Sequence, residues 1–423
     1  MSRISQLQRV LKDKGVQAYR ILENTTRTQE QFYVLQKLET TRETETVEDQ
    51  VTVYTELNAG DAKRLGSASF IVSHKLTKRE LEKKIDEALY AAAFAANEFY
   101  ELEEGTKKKS VRYRALSETP FEILKKTAEI FVGVSKDDVK FNSLELFFNE
   151  KEVHLVNSRG IDYKKTTFEL QVEAIPSYAG PEMKTELYRM FRYSDVNYDK
   201  IREDAEGAVA DIYNRAHAVS LPEIGHANII LHDKEVLNLM STVISSLSYN
   251  AVYSHANLKN VGDDLQVDPA CPITLSLTAD SKSDFFDADG VLLAPAKIIE
   301  NGKVTGLYGT SRFAYYLKKK PTGSLKKVVM GNGKKSLASF KKKPYIEIFD
   351  LSGLQADAYQ NYLGGEVRLA MYFDGKELKP VSGFCFTANL QEVINTLELS
   401  REKSSIQHYE GPKAALLKNI EVN

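Results

Sequence analysis

Only two cysteines occur in this 423-residue chain, Cys271 and Cys385. A disulfide framework is therefore excluded as the main source of stability. One bridge is possible, and two reduced, buried thiols are the expectation. Histidine is also scarce: the seven are His74, His154, His217, His226, His232, His255 and His408, and none is followed by Glu. The helix that delivers two imidazoles and a general base to a peptidase zinc ion is thus missing. Charge of one sign is lacking too. Lys and Arg total 57 against 59 Asp and Glu, a formal net charge of -2, which gives no global pull toward nucleic acid or anionic membrane. No segment approaches the apolar length of a membrane span. The first residues, Met1-Ser2-Arg3-Ile4-Ser5-Gln6, lack the charged-then-apolar order of an export signal. A cytoplasmic, globular protein of mixed structure is the resulting expectation, long enough for two or three domains.

Local patterns divide the chain. Ser5 to Lys14 carries Leu7, Val10 and Leu11 at helical spacing, and Gly15 stops it. Val16–Leu22, Phe32–Leu38, Val51–Leu57 and Ser67–Ser73 read as strands. Thr77-Lys78-Arg79-Glu80 forms a capping box, and Leu81, Ile85, Leu89, Ala92, Ala96 and Tyr100 continue one apolar helix face. The charge-dense stretch 101–114 reads as a boundary. Pro120 to Phe131 reads as a short helix with Pro in its first turn. Leu144–Phe148, Val153–Asn157 and Phe168–Ala174 then read as strands, separated by Asn149-Glu150-Lys151 and by Ser158-Arg159-Gly160. Ser194–His217 is a second long helix, ended by Pro222 and Gly225. Ala227–Leu231 is a strand and Lys234–Tyr249 a helix. The rest is mainly strand and turn up to a helix at Asn389–Leu397. The fold class is α+β, with segments 1–105, 106–219 and 220–423.

Chemical motifs are sparse. His226 and His232 flank one strand, about 20 Å apart if extended, too far to share an ion. His232-Asp233-Lys234-Glu235 comes nearest to a His/acid helix, and a capping Asp with a Glu in the first turn explains it without metal. Gly66-Ser67-Ala68-Ser69 lacks the second glycine of a nucleophile elbow. Cys385, between Phe384 and Phe386, reads as core, and Cys271 as structural. Gly331-Asn332-Gly333-Lys334-Lys335-Ser336 departs from the phosphate-loop pattern, which needs Ser or Thr directly after Lys. The most unusual composition is the stretch 312–343, with ten lysines, Arg312 and no acid. Such a stretch is a solvated loop or a basic surface for nucleic acid or an acidic partner.

The order of pieces in the last third is informative. Phe286-Asp287-Ala288-Asp289-Gly290 leads to Lys297-Ile298-Ile299-Glu300-Asn301-Gly302-Lys303, whose Asn-Gly favours a tight hairpin. Pro321-Thr322-Gly323 and Val381-Ser382-Gly383-Phe384 follow. This order resembles the C-terminal domain of the TldD/PmbA family, linked to metalloproteases and, by an older label, to modulation of DNA gyrase. The Asn157-Ser158-Arg159-Gly160 turn is similar to a recurrent turn of the family's middle region.

The resemblance implies an N-terminal mixed α/β domain and a larger, β-rich C-terminal domain of the TldD/PmbA type. Lacking the His-Glu-x-x-x-His helix, the chain resembles the PmbA, or TldE, branch. The implied function is a dimerising, non-catalytic subunit that shapes a peptide-binding chamber. Its partner would be a TldD-like, zinc-bearing subunit or a second copy. Catalytic and metal residues are then none in this chain, with zinc in the partner. Lys318, Lys319, Lys320, Thr322, Gly323, Ser382 and Gly383 are the expected peptide-cleft or partner residues. A self-sufficient metallopeptidase with atypical ligands, and a nucleic-acid or regulatory module using the lysine-rich 312–343 stretch, are the alternatives.

Overall fold

A computed structural model describes residues 3–60, 62–73, 75–105, 107–181 and 183–423, without the side chain of Ala59. The first half of the chain builds one large sheet with helices on one face. Its elements are α1 (Arg3–Asp13), β1 (Ala18–Val34), β2 (Lys37–Ala59), β3 (Ala62–Val72), α2 (Lys78–Phe94), β4 (Ala96–Glu98), β5 (Lys109–Arg112), α3 (Pro120–Gly133), β6 (Val139–Asn157), β7 (Asp162–Ala179), β8 (Lys184–Glu186), β9 (Arg189–Tyr193) and α4 (Tyr198–Ala216). The order is β4-β3-β2-β1-β6-β7-β5, with β8 and β9 also pairing β7. β1 pairs directly with β6, from Arg20 opposite Asn157 to Val34 opposite Ser143. Segments 1–105 and 106–219 therefore share a sheet; the charge-dense stretch between them divides the chain but not the fold.

Two cores lie on the helical face. Leu7 and Leu11 of α1 and Leu81, Ile85 and Ala88 of α2 cover Ile21, Val51, Val53 and Val156. Ile123, Leu124 and Phe131 of α3 and Ile201, Ala205 and Ile212 of α4 cover Leu144, Leu146, Phe148, Leu170 and Val172. Both α2 and α3 begin with complete capping boxes, Thr77 with Glu80 and Thr119 with Glu122. α2 is shorter than its apolar spacing predicts: it ends at Phe94, and Ala96–Glu98 adds a strand beside β3.

β6 is one continuous strand, so Asn149-Glu150-Lys151 is not a turn. Those three residues pair on both sides, with Thr28, Arg27 and Thr26 of β1 and with Glu169, Phe168 and Thr167 of β7. Polar side chains are tolerated there because strand neighbours satisfy their backbone.

The second half contains β10 (Val219–Ser220), β11 (His226–His232), α5 (Asp233–Ser246), α6 (Tyr249–Tyr253), β12 (Leu275–Thr278), β13 (Ala296–Glu300), β14 (Lys303–Val304), α7 (Ser311–Tyr316), β15 (Lys327–Met330) and α8 (Leu337–Phe340). It continues with β16 (Tyr345–Asp357), β17 (Tyr362–Phe373), β18 (Leu378–Ser382), β19 (Phe384–Asn389), α9 (Leu390–Thr396), β20 (Glu398–Leu399), β21 (Lys403–Ile406), β22 (Tyr409–Pro412) and β23 (Ala414–Val422). One sheet runs β10-β18-β17-β16-β11-β23-β19, and an added β17–β19 pairing closes a ring of five strands. The other runs β14-β13-β12-β15-β22-β21. A single apolar core joins α5, α9 and both sheets. Asn301 and Gly302, both at positive φ, turn β13 into β14 as the Asn-Gly pair predicts. Cys385 is exposed rather than core: Phe384 and Phe386 are buried, and the two-residue period of β19 turns the thiol outward. Cys271 is half-buried at the edge of the core. Among the described residues no helix is long and apolar enough to cross a membrane.

Candidate functional site

Three of the sequence motifs meet where the two halves join. Phe286 is buried against Val153, Leu155, Ile161 and Tyr163 on the sheet face opposite the helices. Lys165 of β7 reaches across to Asp284 and to the Phe286 carbonyl. The chain then turns through Asp287, whose Oδ1 accepts the backbone N–H groups of Asp289 and Val291, each at 3.0 Å. Its Oδ2 accepts the Ser324 N–H at 3.1 Å. The carboxylate thereby ties its own loop to the Thr322-Gly323-Ser324 segment. Gly323 has φ +81°, and a Cβ there would lie 2.4 Å from Leu293. Thr322 Oγ1 accepts the Gly309 N–H at 3.0 Å. The third motif joins through Gly290, where a Cβ would lie 2.4 Å from Ile161, the residue after the Asn157–Gly160 turn. Asn157 caps that turn by accepting the N–H groups of Arg159 and Ile161, and it donates to the Glu103 carbonyl at 2.7 Å.

Asp289 points the other way. It forms an ion pair with Arg20 of β1 and accepts the Ser311 hydroxyl at 3.3 Å. Arg20, Tyr54, Tyr100, Glu103, Asn157 and Asp289 line a cavity of about 10 Å³, room for about one water molecule. Burial, reinforced by the Asp289 charge, pushes the Asp287 carboxyl up to about 6, against the three backbone donors that pull it down. Burial also raises Glu103, helped by Asp287 and Asp289, and raises the Tyr54 and Tyr100 hydroxyls. This is a polar clasp between halves, too small to admit a peptide. The sequence singled out Asp287 and Asp289 within one motif; Arg20, Tyr54, Tyr100 and Glu103 come from separate segments and carry no shared spacing.

Beside the clasp, Lys318, Lys319 and Lys320 are exposed, and none forms an ion pair among the described residues. The Lys320 carbonyl accepts the Tyr249 hydroxyl at 3.0 Å. Arg312 donates to Asn97 at 2.7 Å and lies against the rings of Tyr100, Phe313 and Tyr316. Other lysines of the basic stretch are paired: Lys327 with Glu410, Lys335 with Glu398 and Lys341 with Glu347. Ser382 and Gly383 lie elsewhere, where β18 pairs Val219–Ser220 and turns into β19. The structure therefore brings Thr322 and Gly323 to the clasp and places Ser382 and Gly383 on a different sheet.

The helix after β11 is the one that the resemblance would compare with a zinc helix. On α5, Val236, Leu239, Met240, Val243 and Ile244 are buried in the core. Ser241, Ser245 and Thr242 donate to the carbonyls of Asn238, Ser241 and Ala356. These residues do not fit a zinc ion. Asp233 is not the cap that the sequence suggests. His232 holds the N-cap position without a side-chain cap bond, while Asp233 accepts the Ser404 hydroxyl at 2.5 Å. His232 Nε2 lies 3.2 Å from Glu347 without hydrogen-bond geometry. Burial pushes Glu347 upward, but His232 and Lys341 more than offset it and leave its carboxyl below the usual range. His154 and His408 contact Asp162 and Asp280, each at 2.7 Å. His217 contacts the Tyr213 carbonyl at 2.8 Å. His74 lies outside the described residues. Among the described residues no three His, Cys, Asp or Glu side chains gather at metal-binding distance.

The PmbA/TldA metallopeptidase C-terminal domain family matches residues 224–423. Residues 224–423 thus carry a C-terminal domain of the TldD/PmbA type. Three solved structures share the fold. TldE from Thermococcus kodakarensis superposes with a TM-score of 0.78 at 16% identity, over 100% of both chains. A Thermotoga maritima protein, described as a candidate modulator of a DNA gyrase, gives 0.75 at 15% over 99% of both. A Bacteroides thetaiotaomicron protein of like description gives 0.76 at 15%, over 99% of this chain and 97% of that one. No curated protein sequence matched the chain. Of the motifs that carried the resemblance, Asp287–Gly290, Thr322-Gly323 and Asn157–Gly160 lock the C-terminal domain onto the large sheet.

Proposed function

We propose that this chain is a TldD/PmbA-family protein, a cytoplasmic, TldE-type subunit that does not itself cleave peptide bonds. It pairs with a metal-bearing TldD-type subunit and helps enclose a chamber for unfolded peptides. The observation that carries this reading is α5, whose side chains are used in core packing and in hydrogen bonds to backbone carbonyls. A zinc helix would present two imidazoles on one face, where the second half of α5 presents Leu, Met, Ser, Thr, Val and Ile. The likeness of fold to TldE supports the pairing. Lys318, Lys319 and Lys320 project from the loop that Asp287 fixes, and their role would be to hold a peptide carboxylate or acidic side chains. The ion pairs of Lys327, Lys335 and Lys341 weigh against one continuous cationic surface for nucleic acid.

Purification of the tagged chain from its own cells, with metal analysis of every component, tests the proposal. The expected result is a stable complex with a zinc-bearing relative, with peptidase activity in the complex only. Stoichiometric zinc and chelator-sensitive hydrolysis by the isolated chain would overturn it.

A further inference from the structure

Strand β2 spans 23 residues, yet β3 pairs only with its Asp49–Ala59 half. On the other side β1 pairs with β2 from Lys37 to Tyr54. Residues 37–48 thus have one strand neighbour and one free edge, roughly 40 Å long at strand spacing. Among the described residues, no other element forms a backbone hydrogen bond with this stretch. Residues 37–43 are all exposed.

Free edges invite pairing with other chains, and proteins blunt them with proline, bulges, short length, a covering element or charge. Neither proline nor glycine occurs between Lys37 and Ala59. The register with β1 is interrupted only at Phe32/Tyr33, beside the hairpin tip. Charge is the remaining guard, and it is mostly of one sign: Glu39, Glu43, Glu45 and Glu48 against Lys37 and Arg42. Both positive charges near the middle are engaged inside the sheet, Arg42 with Glu30 and Arg27 of β1 with Glu45. Glu39 and Glu43 have no ion pair among the described residues. The two-residue period sets Glu39, Glu43 and Glu45 on one face. A guard of this kind is selective. Two copies meeting edge to edge would oppose acid to acid, whereas a basic strand meets complementary charge. Thr40, Thr41, Thr44 and Thr46 supply the β-branched surface that a neighbouring strand packs on.

We propose that residues 37–48 form a strand-addition site for an extended peptide carrying Lys or Arg at alternate positions. The main chain supplies affinity, and the Glu39–Glu43–Glu45 row supplies preference and register. This deepens the peptide-handling reading by naming a class of peptide, and it rests on that reading only for the origin of the peptide.

The test uses the full chain alone and a labelled twelve-residue peptide alternating Lys and Thr, read by fluorescence anisotropy. Binding is expected for this peptide. It is lost for the same peptide with every amide N-methylated, and for one alternating Glu and Thr. The double variant Glu39→Lys/Glu43→Lys, with unchanged circular dichroism, should weaken binding about tenfold. No binding, or equal binding of the N-methylated peptide, overturns strand addition. A homodimer that the double variant dissolves would assign the edge to a second copy and overturn the peptide. Peptide binding by a chain that never joins a metal-bearing subunit would keep this site and sink only the chamber.

Discussion

At the scale of single residues, Asp287 shows how a structural carboxylate becomes pH-sensitive. Three backbone donors favour its charge, but burial and Asp289 oppose it and win, leaving it near 6. An unfolded Asp titrates near ~3.9. The folded state therefore binds this proton more tightly than the unfolded state. The contribution of Asp287 to stability is fully present below about pH 4. It is lost as pH rises through about 6, and the difference amounts to about 3 kcal/mol. Asp287→Asn has no such titration. Urea unfolding of both proteins from pH 4 to 7.5 should show the wild-type advantage over the variant falling by up to that amount, with the carboxylates remote from Asp287 cancelling in the difference. A difference that does not change with pH would sink this account. Cys385 teaches the converse lesson. Its flanking phenylalanines suggest core from sequence, yet strand alternation exposes the thiol, because burial follows side-chain direction rather than composition.

At the scale of elements, local chemistry was legible and long-range pairing was not. The Thr77–Glu80 capping box, the Pro120 helix start and the Asn301-Gly302 hairpin depend on residues within a few positions of one another. The continuity of β6 through Asn149-Glu150-Lys151 depends on β1 and β7, which are distant in sequence. In the candidate site, the Asp287 and Thr322-Gly323 turns were readable, but their meeting with Arg20, Tyr54, Tyr100 and Glu103 was set by how the sheet closes. Gly66 is a similar case. The sequence shows a glycine in a strand; the structure shows α2 crossing so close that a Cβ would lie 1.8 Å from the Ala92 carbonyl oxygen. Gly66→Ala forces the α2 backbone to shift and should cost ~2–3 kcal/mol. Gly207 sits exposed in α4 with nothing within 4 Å of a built Cβ. Gly207→Ala should stabilise by ~1 kcal/mol. Thermal unfolding of the pair checks both signs, and a neutral Gly66→Ala would show that α2 yields without strain.

At the scale of the whole molecule, the two halves are joined by charge as well as by the Phe286 plug. Arg189 of β9 reaches Asp211 of α4 at 3.1 Å and Asp350 of β16 at 3.2 Å, with all three side chains under 20% exposed. Lys413 adds a more exposed pair with Glu203 of α4. Burial raises the Asp211 carboxyl above its usual range even though Arg189 pulls it down. Arg189→Met keeps much of the packing volume and leaves two carboxylates in the seam without their cation. Removing one partner of a buried ion pair costs ~3 kcal/mol. The sign of the pH dependence follows. Without Arg189, the Asp211 carboxyl rises further, so the folded variant favours the protonated acid and loses stability as pH increases. The variant should therefore lie closer to wild type at pH 5 than at pH 8. The chain crosses between the halves after α4, and residues 221–225, largely exposed between β10 and β11, offer a site for limited proteolysis. Cleavage there should accelerate in Arg189→Met, more strongly at pH 8. Equal cleavage rates at both pH values would mean that the apolar contacts around Phe286 hold the halves together without the charge triad.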